Sequence, residues 1–413
     1  MRRLKVLWLS HFVPYPPKGG AFQRSFNLIR GVGAVHELHL LALRHKSGTH
    51  PEEDSQRALS ELGRYCRSFS IIDGTAATRG PGLVIRGLRI AGGVPLTVSV
   101  SNVAQMRKAI RLLVSRNDFD IVHFDTIGLA CYLDEVKAIP TALSHHGAES
   151  FMMLRRVNRE RSILKKLLFL VEGHLLRRYE ARYCPRFSEN LVVSELDRLL
   201  LADIAAAGRF TVVPNGVDTT YFHAMPPTAA RNVVFAGRLD QYSNRDAILY
   251  FTKEVWPRVR ARFPDAVLDI LGSNPPKELH ALARRDPTIR VHGFVSDVRP
   301  YFERAAVAVC PIRDGGGTRV KILDNLAMGK PIVSTTIGIE GIEVVAERDL
   351  LIANSPEEFE GQISRIFVDE GLRARLGINA RKLAEASYSW DSIVKTMLNA
   401  YSRATIGPTP RSH

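Results

Sequence analysis

The sequence predicts an α/β protein built from two doubly wound parallel-sheet domains, and three observations carry that reading. Short apolar runs alternate with amphipathic helical patterns along nearly the whole chain, the signature of strands joined by crossover helices. Glycine-rich loops follow several of those runs, where open α/β sheets take ligands. At 413 residues the chain is long enough for more than one core, and a Pro/Ala-rich stretch, Ala224 to Arg231, reads as a hinge.

Bulk composition narrows the class. Hydrophobic residues make up 45% and charged residues 24%, an ordinary soluble balance. Charge is less ordinary: 57 Lys and Arg against 42 Asp and Glu give +15. Such an excess suits an anionic partner: nucleic acid, a membrane surface or a phosphorylated substrate. Lys and Arg spread along the whole chain rather than forming one stripe, which argues against nucleic acid. Cys66, Cys131, Cys184 and Cys310 form no C-x-x-C pair, so neither a disulfide framework nor a zinc site is expected, and a reducing cytoplasm is. Met1 to Leu9 mimics the start of a signal peptide, but its apolar core is short and no cleavage site follows. No apolar run approaches the ~18 residues of a spanning helix.

Taken in order, Lys5 to Ser10 is the first strand and Pro14 to Gly20 a loop at its carboxyl end, with Gly19 and Gly20 placed for close backbone approach. A helix is expected from Ala21 to Ile29. Strands follow at Leu38–Leu43, Phe69–Ile72, Ile121–Phe124, Thr141–Ser144 and Leu191–Val193. Ser144-His145-His146-Gly147-Ala148-Glu149-Ser150 comes straight after a strand. Adjacent histidines on a strand point to opposite faces, which argues against a metal pair with Glu149. From Met153 to Arg186, ten basic residues and three glutamates interleave with leucines. This predicts one or two long basic amphipathic helices, suited to anionic lipid or to a solvated face that packs on the domain.

In the second half, Thr211-Val212-Val213-Pro214-Asn215-Gly216-Val217-Asp218 reads as a strand and turn. Asn232 to Ala236 is the first strand past the hinge, and Gly237-Arg238 stands at its end, where a guanidinium can grip a diphosphate in forked geometry. Ala266–Gly272 and Ile289–Gly293 are further strands around a helix near Pro276–Arg285. Ala306 to Ile312 is a buried strand emptying into Asp314-Gly315-Gly316-Gly317-Thr318. A helix over Arg319 to Met328 follows, stopped by Gly329 and Pro331, and then a strand over Pro331–Thr335. A helix N-terminus behind glycines favours a phosphorylated ligand, and Asp324 lies where a carboxylate could take sugar hydroxyls. Helices at Pro356–Phe367 and Leu372–Ala386, and a last helix from Ser389-Trp390-Asp391, close the chain.

Three segments in order, Val212 to Asp218, Phe235 to Asp240 and Val309 to Thr335, resemble the retaining glycosyltransferases of family 4, closely over Thr211 to Trp390 and more loosely before it. The triple-glycine form resembles a subgroup associated with exopolysaccharide synthesis. The resemblance implies the GT-B fold, two Rossmann-like domains facing across a cleft. The expected acceptor-binding domain is 1–208, completed by a helix over 389–405; the donor-binding domain is 209–388; and 406–413 is a disordered tail.

By resemblance, the Gly19-Gly20 loop covers the donor diphosphate, and a histidine after the fifth strand faces the transferred sugar. His146 fits best and His145 is the alternative; Glu149 would contact sugar or acceptor. Arg238 would neutralise the leaving diphosphate, and the segment at Val295 would hold the base. Gly316, Gly317, Thr318, Arg319, Lys321 and Asp324 would complete the donor site. Two departures stand out. The lysine that many members carry just beyond the arginine is missing, so Arg245, or Lys321 with Arg319, must supply its charge. Asp324 takes the place of the second glutamate of the family motif while Gly316 falls at the first, leaving Asp314 as the substitute. The implied reaction transfers a hexose from a UDP- or GDP-sugar to a glycan or lipid-linked acceptor, with neither cofactor nor metal. The rivals are a sugar-nucleotide epimerase that does not use NAD and a non-enzymatic basic protein binding nucleic acid or membrane.

Overall fold

In the computed structural model, residues 2–17, 19–44, 52–74, 92–158, 160, 162–314 and 317–406 are described. The chain divides into two compact units, Met1–Asn215 with Ile393–His413, and Gly216–Ser392.

The first unit holds a seven-stranded parallel sheet: β1 Lys5–Ser10, β2 Glu37–Arg44, β3 Ser68–Asp73, β4 Ile121–Phe124, β5 Thr141–Ser144, β6 Glu189–Val192 and β7 Phe210–Val212. Their order is β3-β2-β1-β4-β5-β6-β7. Its helices are α1 Gly20–Val35, α2 Glu52–Gly63, α3 Leu96–Ser101, α4 Ala104–Arg116, α5 Glu149–Val157, α6 Ile163–Tyr183 and α7 Glu195–Ile204. Strand residues are buried on both faces, as crossover helices require, and on one face Leu7, Leu9, Leu41, Val122, Phe124 and Leu143 form one continuous cluster.

The second unit repeats the plan with six strands: β8 Asn232–Ala236, β9 Val267–Leu271, β10 Ile289–Gly293, β11 Val307–Cys310, β12 Ile332–Ser334 and β13 Leu351–Ile352. They are ordered β10-β9-β8-β11-β12-β13. Helices α8 Tyr242–Tyr250, α9 Trp256–Arg262, α10 Lys277–Arg285, α11 Arg299–Arg304, α12 Val320–Ala327, α13 Pro356–Val368 and α14 Glu370–Leu383 surround them. Helix α15, Trp390–Ile406, starts in this unit and continues in the first. Trp256, Phe251, Phe359 and Phe235 are fully buried in the core.

Both sheets reverse strand order beside their first strand, between β1 and β4 in one unit and between β8 and β11 in the other. Loops on either side of such a switch point splay apart and leave a crevice at the carboxyl ends.

The structure differs from the expected layout in several places. The first unit runs through Asn215 rather than 208, because β7 pairs in parallel with β6 and so belongs to the first sheet. Helix α1 continues to Val35 despite Gly31 and Gly33, which are close-packing positions instead of breakers. A Cβ at Gly31 would lie 2.2 Å from Val394 and one at Gly33 2.1 Å from the Tyr65 carbonyl. Strand β13, two residues long, carries too little pattern to find. The tail from 407 lies outside the described residues.

Candidate active site

Each unit presents its candidate residues at its own switch point. In the first, α1 begins immediately after the loop that follows β1, with Gly19 at its N-cap in the left-handed region (φ 97°). A side chain there would be strained, so the glycine is needed for the backbone turn that brings the helix N–H groups to the sheet edge. His11 and Phe12 occupy the same loop, Asp125 directly follows β4, and His146 follows β5.

The two adjacent histidines, just beyond β5, diverge. His145 is fully buried, with Nε2 3.3 Å from Asn190 Oδ1. His146 keeps 19% of its side chain exposed and lies near Phe12, with Nε2 3.7 Å from Asp125 Oδ1. Burial, with the Arg24 charge second, lowers the His146 pKa to about 3, so the ring is neutral at physiological pH. His11, Asp125 and His146 bring potential ligand atoms within 4.8 Å of one another, a grouping distinct from the His145, His146 and Glu149 set weighed from sequence.

Sequence reasoning does not single out Asp125 or Arg24, since neither falls in a recognisable motif. Asp125 is 1% exposed and accepts from Ser25 Oγ (2.9 Å) and Ser10 Oγ (3.1 Å), while burial raises its pKa to about 7. Arg24, also 1% exposed, donates to the Pro214 carbonyl at 2.7 Å, and desolvation lowers its pKa to about 10. Glu149 opens α5 half-buried, accepting from Thr126 Oγ1 at 2.8 Å. The loop before it is pinned by a hydrogen bond from the Ala148 N–H to Asp197 Oδ1 (2.8 Å).

In the second unit the loops after β8 and β11 flank the switch point. Arg238 stands at the end of β8 with its side chain 65% exposed, and its guanidinium forks onto Asp240 (Nη2–Oδ2 2.6 Å, Nε–Oδ1 3.2 Å). A bidentate carboxylate occupies the same donor pair that a diphosphate would use.

Lys321, on the first turn of α12, reaches back to this turn. Its Nζ donates to Asn244 Oδ1 at 2.6 Å and sits 4.5 Å from the centre of the Phe235 ring. Asn244 in turn donates from Nδ2 to the Arg238 carbonyl at 2.9 Å. Gly237 makes room: a Cβ there would lie 2.6 Å from Lys321 Nζ. Of the two sources considered for the missing cation, Lys321 is the one at the Gly237-Arg238 turn, and Arg245 is exposed on α8. Desolvation lowers the Lys321 pKa to about 8.

The remaining candidates gather around α12. Gly317 has φ 82°, Arg319 is the helix N-cap residue, and Asp324 lies one turn beyond Lys321. Burial raises the Asp324 pKa to about 7. Among the described residues, Thr318 Oγ1 and Asp324 Oδ1 are buried polar atoms with no hydrogen-bond partner, an arrangement that a polyhydroxylated ligand would relieve. Asp314 is half-buried at the start of the loop, and Gly316 lies outside the described residues. Val295 follows β10, and Phe294, in the segment expected to hold the base, is 78% exposed.

Two Rossmann-like parallel-sheet units, each with glycine turns at its switch point, are the architecture of the GT-B fold. The sequence matches "Glycosyltransferase Family 4" over residues 18–221 and "Glycosyl transferases group 1" over residues 230–369. The chain belongs to the group 1 glycosyltransferases of family 4 and is a glycosyltransferase enzyme. It is 24% identical to a phosphatidyl-myo-inositol mannosyltransferase of Mycolicibacterium smegmatis, covering 76% of this chain and 80% of that one. It is 26% identical to a D-inositol 3-phosphate glycosyltransferase of Salinispora arenicola over 54% and 58%. In fold it is similar to sucrose-phosphate synthase from Thermosynechococcus elongatus (TM-score 0.68, 16% identity, 97% and 98% covered). It is also similar to HepE of Anabaena, solved in complex with UDP (TM-score 0.66, 14% identity, 97% and 100% covered).

Proposed function

We propose that the enzyme transfers a hexose from a UDP- or GDP-sugar to a glycan or lipid-linked acceptor with retention of anomeric configuration, in the synthesis of a cell-surface polysaccharide or glycolipid. The observation that carries this reading is Lys321 Nζ held against the Gly237-Arg238 turn at the switch point of the second sheet. Two cations of different geometry then converge on one anion-binding turn: a forked guanidinium and a compact ammonium. Arg238 releases Asp240 to take the diphosphate, and Lys321 with the backbone of Gly317 and Thr318 neutralises the charge that grows as the glycosidic bond breaks. Asp324 accepts hydrogen bonds from sugar hydroxyls, and Val295 with Phe294 contacts the base. Gly19 and Gly20 bring backbone N–H groups to the phosphates.

Retention follows from same-face attack. The acceptor hydroxyl gives its proton to the departing phosphate oxygen while its own oxygen bonds to the anomeric carbon. Neutral His146, oriented by Asp125, hydrogen-bonds the sugar or acceptor. The scheme draws on no cofactor or metal. The name of the mannosyltransferase relative favours a lipid acceptor, and the basic helices α5 and α6 support peripheral work at the inner face of a membrane.

The test is release of UDP or GDP from a panel of nucleotide sugars, with the anomeric configuration of the product read by NMR. Arg238→Ala and Lys321→Ala should each lower kcat/KM by about 10²- to 10³-fold, the usual loss for one charge-stabilising donor. Unaltered turnover in both variants removes the phosphate-neutralising role.

A further inference from the structure

Among the described residues, no helix is long and apolar enough to cross a membrane. Yet the N-terminal half of α6 exposes apolar side chains on a scale that single surface leucines do not explain. Ile163 is 84% exposed, Leu164 78%, Leu167 57%, Leu168 53%, Leu170 41% and Val171 49%. At helical spacing these six cover an arc of about 160°. Lys165 and Lys166 flank that arc on its two sides.

The other half of the helix is a firm anchor. Glu172 accepts the N–H groups of Leu96 (2.8 Å) and Thr97 (3.2 Å), and Leu176 is buried. Gly173 lets α5 approach closely, since a Cβ there would sit 2.7 Å from Leu154. Glu180, fully buried, accepts from Ser150. Both carboxylates of α6 are thus turned inward, and its exposed charges, Lys165, Arg177, Arg178 and Arg182, are all positive. Among the described residues, two acids lie near: Asp203, 3.6 Å from Arg177 and beyond the apolar half of the helix, and Glu160, which precedes the ridge and accepts from the Ser162 N–H at 3.0 Å.

We propose that this half of α6 inserts its apolar ridge into the surface of an anionic bilayer, with the flanking lysines on lipid phosphates. The occupant follows from chemistry. Leucine and isoleucine flanked along the helix by Lys165 and Lys166 match hydrocarbon lying beneath negative headgroups. A second copy of this chain, itself at +15, would set positive charge against positive charge. The proposal deepens the membrane-side part of the transferase reading, and because vesicle binding and sugar transfer are measured separately, failure of either leaves the other intact.

The experiment is co-sedimentation of the full chain with vesicles of phosphatidylcholine alone or with about a third phosphatidylglycerol. Leu167→Trp serves as a depth probe against brominated lipid. The wild-type chain should sediment with the anionic vesicles and much less with the neutral ones. Emission of the introduced indole should shift to the blue and be quenched by bromine. Leu164→Glu with Leu167→Glu should weaken binding by about tenfold or more, because each buried leucine contributes to partitioning. Its melting temperature and nucleotide-sugar hydrolysis in solution should stay at wild-type values. Equal binding by the double-glutamate variant overturns the proposal. So does a dimer in sedimentation velocity whose introduced indole is already shielded without lipid, which would assign the ridge to a second copy.

Discussion

Lys321 and Asp324 share one helical turn, and burial moves their pKa values toward each other, Lys321 down to about 8 and Asp324 up to about 7. The ammonium that would meet the diphosphate is present below pH 8 and lost as pH rises through that value. The carboxylate that would accept sugar hydroxyls is present above pH 7 and lost as pH falls through it. The profile of kcat/KM, which reports groups of the free enzyme, should therefore peak in the narrow window between pH 7 and 8. Lys321→Arg keeps a cation at high pH and should abolish the alkaline limb. If that limb survives the substitution unchanged, another group titrates there. Asn244 belongs to the same unit of chemistry, because its amide holds both Lys321 Nζ and the Arg238 carbonyl. No motif marks it. An asparagine inside a polar run becomes meaningful only when its two partners, one of them far off in sequence, are seen around it.

Helix α1 shows how an element can be legible in kind and not in extent. Its amphipathic pattern predicts a helix only as far as Ile29, short of Gly31 and Gly33, residues that carry a helical cost. Tertiary contact reverses that inference: the positions without Cβ are where Val394 and the Tyr65 backbone press against the helix. Gly33→Ala should destabilise the protein by about 1–3 kcal/mol, the range for overpacking, because a carbonyl 2.1 Å from the new Cβ has no flexible end to move. A melting temperature equal to wild type would mean that the helix and Tyr65 separate freely. The helices around Met153–Arg186 tell a related story. Their basic character is readable in the sequence, whereas the inward turn of Glu172 and Glu180 and the outward turn of the leucines depend on which face the domain covers.

Helix α15 closes the first unit although it lies at the far end of the chain. Tyr401 is fully buried and shares a 2.8 Å hydrogen bond with His123 Nδ1, while His123 stacks on Trp8 of β1 at 3.7 Å. The last helix is thus part of the packing of the central strands. A chain ending at Asn215 should expose that surface and aggregate or fold poorly, whereas Tyr401→Phe in the full chain should cost about 1–3 kcal/mol, because the buried His123 Nδ1 loses its partner. Soluble, cooperatively melting 1–215 would show that α15 is dispensable to the first core.

Periodicity and punctuation in the sequence determined the class of fold, the positions of most strands along the chain, the glycine turns and the family, because those depend on local alternation and on residue types read one segment at a time. The end of the first sheet escapes that reading, since membership of β7 rests on hydrogen bonds to β6 rather than on its own pattern. The identity of the second cation is likewise open in the sequence. Lys321 and Asn244 stand 77 residues apart, and only the parallel pairing of β8 with β11 brings the loops that follow them together. Tertiary structure puts Lys321, and not Arg245, beside the Gly237-Arg238 turn, because proximity across a sheet is set by strand order, which no single stretch of residues encodes.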